Sequence, residues 1–189
     1  MDATVSDQSL MLRYQAGDAD AFEMLYARHR DSLFRFLRRQ CESDAVAEEL
    51  FQDVWLGLIR GRSNYKPDAT FRTFVYRAAR NRLIDHYRKS GRRGTLSAVV
   101  ESDATEVVDE APVGPEEVAI GEQALQQFSL ALAALPEEQK TVFLMFKESG
   151  MSLAEVATTM EATIEATKSR LRYAVTKLRT ALDGGQNDE

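Results

Sequence analysis

A chain of 189 residues, 44% hydrophobic and 29% charged, can hold one medium or two small globular domains. Its net charge of -6 argues, taken alone, against a nucleic-acid ligand, and no apolar run approaches the roughly 18 residues that cross a bilayer. The single cysteine, Cys41, excludes an internal disulfide and suits a reducing compartment. The opening stretch MDATVSDQSLMLRYQAGDAD pairs no basic segment with an apolar one, so neither a signal peptide nor membrane insertion is expected, and the expected location is cytoplasmic.

The average charge conceals a segregation. Glu42 to Asp53 holds five acidic residues and no basic one, and Arg60 to Arg93 holds eleven basic residues against Asp68 and Asp85. Glu101 to Glu122 holds eight acidic residues and no basic one, while Thr163 to Thr180 holds five basic residues against Glu165. Blocks of alternating sign point to partners of different charge, or to one large partner with a mixed surface, and restore nucleic acid as a candidate.

In chain order, Phe22, Leu25, Tyr26, His29, Leu33, Phe36 and Leu37 recur at helical spacing after GDAD, whose Asp can cap. DAVAEELFQDVWLGLIR and ATFRTFVYRAARNRLIDHYRK predict two further helices, separated by the loop GRSNYKPDAT. On the first of these, Val46, Leu50, Val54 and Leu58 form a core stripe. Glu48, Gln52, Trp55, Leu56 and Ile59 fall opposite, which suits either a partner or burial within the domain. On the second, Arg72, Tyr76, Arg80 and Tyr87 share a sector with Arg77 and Arg88 beside it, a combination that can neutralise phosphates and stack on unpaired bases or be ordinary surface.

Residues 91–121 carry Gly, Pro112 and Pro115 without a helical stripe and read as a partly disordered acidic linker. Helical spacing resumes at Ala124, Leu125, Phe128, Leu132 and Leu135, and Pro136 opens PEEQKTVFLMFKESG. Ser152 and Glu155 form an S-x-x-E capping box ahead of LAEVATTM, and a short turn leads to a helix capped by Thr163. There Ile164, Thr167, Leu171, Ala174, Val175, Leu178 and Leu182 face one way. Lys168, Ser169, Arg172 and Thr176 face the other, with Arg170 and Tyr173 on the flanks. This is the pattern of a helix-turn-helix or of a hairpin with a solvated basic face. His29 and His86 lie far apart, His29 on an apolar stripe as a packed core residue. No metal-ligand spacing, Walker loop or nucleophile elbow occurs, so no enzyme, metal or cofactor is expected.

The segment from Leu135-Pro136 through Gly150-Met151-Ser152 to Lys168-Ser169-Arg170-Leu171 and Ala174 resembles region 4 of bacterial sigma factors of the extracytoplasmic-function group. Glu161 stands where that family's turn carries Gly, so a slightly remodelled turn is expected, and Thr167 replaces a β-branched aliphatic residue. Phe71, Phe74, Val75, Tyr76, Ala79, Asn81, Asp85 and Arg88 resemble region 2 of the same group, with Phe74 at a usual Trp position.

The resemblance implies an all-α protein of two small helical domains joined by the flexible acidic linker. Region 2 would span 8–90 and region 4 would span 122–182, followed by a disordered tail at 183–189. It implies a sigma factor that joins core RNA polymerase, through the β′ clamp coiled coil and the β flap, at promoter DNA, and that is held by an anti-sigma factor. A stand-alone helix-turn-helix regulator is the alternative. The residues carried over are Glu48, Glu49, Gln52, Asp53, Trp55, Leu56 and Ile59 for polymerase, with Trp55 as anchor. For the minus-ten strand they are Arg72, Tyr76, Arg77, Arg80, Asn81, Tyr87 and Arg88. For the minus-thirty-five duplex they are Lys168, Ser169, Arg170, Arg172, Tyr173 and Lys177.

Overall fold

The structure, a computed structural model, describes residues 5–89 and 122–184, so the acidic segment 91–121 lies outside the described residues. Among the described residues there is no strand. Helix α1 (Asp7–Gln15), which hydrophobic spacing did not reveal, starts at Ser6, whose hydroxyl accepts from the Ser9 N–H. Asp18 caps α2 (Ala19–Gln40) and Ser43 caps α3 (Asp44–Gly61), each satisfying an N–H that the first helical turn leaves unpaired. A single 3-10 turn (Arg62–Asn64) leads toward α4 (Phe71–Lys89), where the Thr70 hydroxyl accepts from the Thr73 N–H at 3.2 Å. The C-terminal half folds as α5 (Glu122–Ala133), α6 (Glu137–Lys147), α7 (Leu153–Met160) and α8 (Ile164–Gly184). Helix α8 therefore runs through Asp183 and Gly184, past the expected start of a disordered tail.

Helices α1 to α4 close around Leu10, Met11, Leu25, Leu33, Phe36, Leu37, Leu50, Val54, Phe71 and Val75. Burying each such side chain contributes about 1.5–3 kcal/mol. Helices α5 to α8 close around Leu132, Leu135, Val142, Leu144, Met145, Val156, Ala174 and Leu178. Phe74 packs edge-on against Tyr65, 5.3 Å between ring centres, and fills its place without an indole. Thr167, fully buried, turns its hydroxyl back to the Thr163 carbonyl at 2.9 Å, which satisfies the polar atom that an aliphatic residue would lack.

Trp55 is the first correction. The helical wheel places it outward, yet it is 4% exposed, with ring centres 4.9 Å from Tyr26, 5.8 Å from Phe22 and 6.2 Å from Phe51. Helix α3 packs against both α2 and α4, so its buried stripe (Ala47, Leu50, Val54, Trp55, Leu58) is wider than one narrow row. Val46 gives its core place to Ala47.

His29 is a core residue, 4% exposed, with Nε2 2.6 Å from an Asp7 carboxylate oxygen and its ring against Phe71. Burial pulls its pKa below the ordinary imidazole value, and the Asp7 carboxylate offsets this in part. Burial pushes Asp7 upward, but hydrogen bonds and charge from Arg28 and His29 outweigh it and hold the carboxyl below its usual range.

The two halves also touch. Helix α4 packs on α7, and α2 meets α6. Gln40 donates to the buried Thr141 hydroxyl at 2.8 Å, and Arg39 pairs with Glu148 at 2.6 Å.

Two outcomes follow from this packing. Trp55→Ala should cost about 3–5 kcal/mol in denaturant unfolding, because it empties a core site. His29 resists protonation when folded, so its contribution is complete above the unfolded value near 6.5 and declines as pH falls below it. Thermal melts between pH 7.5 and 5.5 should show stability falling toward acid, with a shallower slope in His29→Gln.

Candidate nucleic-acid and polymerase interfaces

The capping box at α7 is complete. Ser152 accepts from the Glu155 N–H at 3.3 Å, and the Glu155 carboxylate accepts from the Ser152 N–H at 2.9 Å. Burial would raise the Glu155 pKa, but the Ser152 donors, the Thr70 hydroxyl and nearby Arg72 together lower it. After Met160 the chain turns at Glu161, which adopts the left-handed conformation (φ 55, ψ 39) and donates its N–H back to Ala157 and Thr158. The expected remodelling does not occur. Glu simply takes the glycine-like geometry and carries its steric cost.

Helix α8 then presents Lys168, Arg172, Tyr173 and Lys177 on its exposed side, with Ser169 half-buried. The Arg172 guanidinium lies 5.8 Å from the Tyr173 ring centre. Arg170 departs from this row: it pairs with Glu138 of α6 at 2.6 Å and so holds α8 to its own bundle. Arg179, two turns beyond Arg172 on the same face, is also exposed and was missed by motif matching.

Helix α4 divides the expected minus-ten set. Asn81 and Arg88 are exposed and Arg80 is half-buried. Asn81 lines a cleft of about 300 Å³ between α3 and α4, together with Asp53, Gly57, Arg82 and Asp85. Arg82 is a candidate that the motif reading passed over, although it is exposed beside Asn81. Tyr76 is a second correction. It is fully buried, its ring centre 5.2 Å from Phe36, and burial raises its phenol pKa against the opposing Ser32 and Ser149 hydroxyls. Tyr87 donates its hydroxyl to the Gln40 carbonyl, and burial pushes its pKa up to about 12. In this conformation the Tyr76 ring is closed off from solvent, whereas the Tyr87 ring is half-buried with its hydroxyl engaged. Arg72 and Arg77 reach the other bundle, donating to the Gly150 and Thr158 carbonyls at 3.0 and 2.8 Å.

On α3, Glu48, Glu49, Gln52 and Asp53 are exposed, and Leu56 and Ile59 stand among them at 42% and 38% exposure. This exposed apolar pair thus lies between carboxylates on its N-terminal side and Arg60 and Arg62 on its C-terminal side.

The sigma-70 region 2 family matches residues 25–93, and sigma-70 region 4 matches residues 131–180. The chain belongs to the sigma-70 family, in its extracytoplasmic-function group. It is 26% identical to the RNA polymerase sigma-H factor of Pseudomonas aeruginosa over 94% of this chain and 92% of that one. It is 29% identical to the ECF RNA polymerase sigma factor SigM of Mycobacterium tuberculosis over 96% and 89% of the two chains. Its fold matches the sigma factor RpoE of Bartonella quintana, solved with the anti-sigma factor NepR, at a TM-score of 0.65 and 22% identity over 89% and 98% of the chains. As a sigma factor it binds core RNA polymerase and directs initiation at particular promoters.

Replacing Glu161 by Gly should relieve the left-handed turn and raise stability by up to about 1 kcal/mol, read by denaturant unfolding. An unchanged or lower midpoint would mean that Glu161 meets no strain there.

Proposed function

We propose that this sigma factor divides its task between two surfaces. Region 2, at 8–90, would meet polymerase and the minus-ten strand, and region 4, at 122–182, would read the minus-thirty-five duplex. The observation that carries this reading is the pair of exposed faces on separate bundles: Leu56 and Ile59 among carboxylates on α3, and the basic row of α8.

The α3 face suits the β′ clamp coiled coil, with Leu56 and Ile59 as apolar contacts and Glu48, Glu49, Gln52 and Asp53 as the polar rim. Trp55 supports that face from beneath by fixing α3 against α2. Lys168, Arg172, Tyr173 and Lys177 would lie in a major groove, where side chains from a recognition helix reach base edges and phosphates. Ser169 would add a short hydroxyl contact, and Arg170 would hold the helix at its angle. On α4, Arg80, Asn81 and Arg88 form the accessible part of the minus-ten surface, joined by Arg72 and Arg77 once these leave the opposite bundle. Region 4 would also meet the β flap. Bond formation belongs to polymerase, and the protein itself acts in the cytoplasm. Among the described residues no helix is long and apolar enough to cross a membrane. An anti-sigma factor as further partner is in keeping with the fold shared with RpoE, which was solved bound to one.

Run-off transcription from a promoter library with purified core polymerase tests the division. Initiation at defined start sites should require the protein and fall at least about tenfold in Leu56→Arg, a surface change expected to move stability by less than about 0.5 kcal/mol. Transcripts that ignore Leu56→Arg would remove α3 as the polymerase face. DNA binding without any new transcript would favour a stand-alone regulator.

A further inference from the structure

Helix α1 is short, yet its side chains reach the loop between α3 and α4 at both ends. Gln8 and Gln15 stand two helical turns apart and share one face of α1, with the fully buried Met11 between them. The Gln15 side-chain amide donates to the Ser63 carbonyl at 2.9 Å and to the Tyr65 carbonyl at 3.3 Å. Gln8 donates to the Ala69 carbonyl at 3.1 Å. The Arg62 guanidinium lies 5.3 Å from the centre of the Tyr14 ring, a further tie to α1.

Residues 62–69 need outside support. Among the described residues, the stretch 65–69 has one backbone–backbone hydrogen bond, from the Tyr65 N–H to the Arg62 carbonyl at 3.3 Å. A connection with so few bonds of its own keeps its conformational freedom unless other groups take its carbonyls. Helix α1 can serve because it is fixed elsewhere. Asp7 accepts from Arg28 at 2.7 Å and lies 2.6 Å from His29, while Leu10, Met11 and Tyr14 are buried.

The support leaves the loop's polar side chains outward. Ser63, Asn64, Lys66 and Asp68 are exposed, whereas Tyr65 among them is buried with its ring on Phe74. Phe74 also lines the cleft that holds Asn81, so the loop borders that cleft. A hydroxyl, an amide, an ammonium and a carboxylate supply donors and acceptors for unpaired base edges, and an ammonium also suits a phosphate. Such groups discriminate between bases best when their spacing is set before the strand arrives. A loop that must order itself on binding loses part of its affinity to that ordering.

We propose that Gln8 and Gln15 are positioning residues for minus-ten recognition. They hold 62–69 in one conformation, so that Ser63, Asn64, Lys66 and Asp68 meet the unpaired strand in a fixed arrangement beside Asn81. Each glutamine acts through the loop backbone and makes no contact with DNA itself. The inference rests on the assignment of region 2 to the minus-ten strand.

The test is run-off transcription by the full chain with purified core polymerase, on a library randomised at both promoter elements. Gln8→Met/Gln15→Met keeps side-chain length and removes the donors, and hydrogen exchange read by mass spectrometry follows the loop directly. The expected result is faster exchange at 62–69, with α2 to α4 protected as in the wild type. The minus-ten base preference should flatten about fivefold for each hydrogen bond lost, while the minus-thirty-five preference stays as it is. A general loss of folded protein would lower every transcript and flatten neither preference, which would overturn the positioning role. Loop exchange equal to the wild type, or faster exchange with an unchanged minus-ten preference, would overturn it as well. Asn81→Ala in the same library separates the two assignments. A minus-ten preference altered by Asn81→Ala alone would leave region 2 in place and overturn only the role of the glutamines. A preference that ignores both changes would remove region 2 from that strand, and the proposal with it.

Discussion

Helix α4 has to satisfy two neighbours at once, and much of the molecule depends on how it does so. Its inner row, Phe71, Val75, Tyr76, Ala79 and Leu83, is buried in the N-terminal core. Its outer row carries guanidiniums that find carbonyls on the C-terminal half. Apolar burial is non-directional and fixes the helix in its bundle, whereas the hydrogen bonds depend on geometry and on what else is near. The first contact rests on shape and area, the second on a few directed donors and acceptors.

That difference separates the two basic helices. Helix α8 is tied to α6 by Arg170 and Glu138 and keeps Lys168, Arg172 and Lys177 exposed. Helix α4 spends part of its charge on its neighbour and part of its aromatic content on the core. The net charge of -6 is no obstacle to DNA binding, because local blocks of charge decide what a surface attracts within a screening length of about 8–10 Å.

The caps and the helix spacings were legible because they are local. The Asp of GDAD and the Ser152–Glu155 box act over three residues, and each begins a helix where the sequence places it. His29 read correctly as a core residue because it sits within an apolar stripe that is seven residues strong in the sequence. Trp55 and Tyr76 misled for a common reason. A helical wheel assumes one buried side, but α3 and α4 each have neighbours on more than one side, and a large aromatic ring fills the added contact. Helix α1 escaped notice because it is short and its buried residues, Leu10, Met11 and Tyr14, are few.

By itself the sequence determined the helical class, the helix-turn-helix, the segregation of charge and the two-part resemblance to sigma factors. All of these depend on side-chain identity at short, regular spacing, where propensity, capping and periodicity act. Tertiary structure alone decided which face of α3 is exposed, how deeply Tyr76 and Tyr87 are buried, and that Arg72 and Arg77 end on the opposite bundle. Those outcomes depend on contacts between residues as far apart as Arg77 and Thr158, whose meeting is set by how whole helices pack and by no local pattern along the chain.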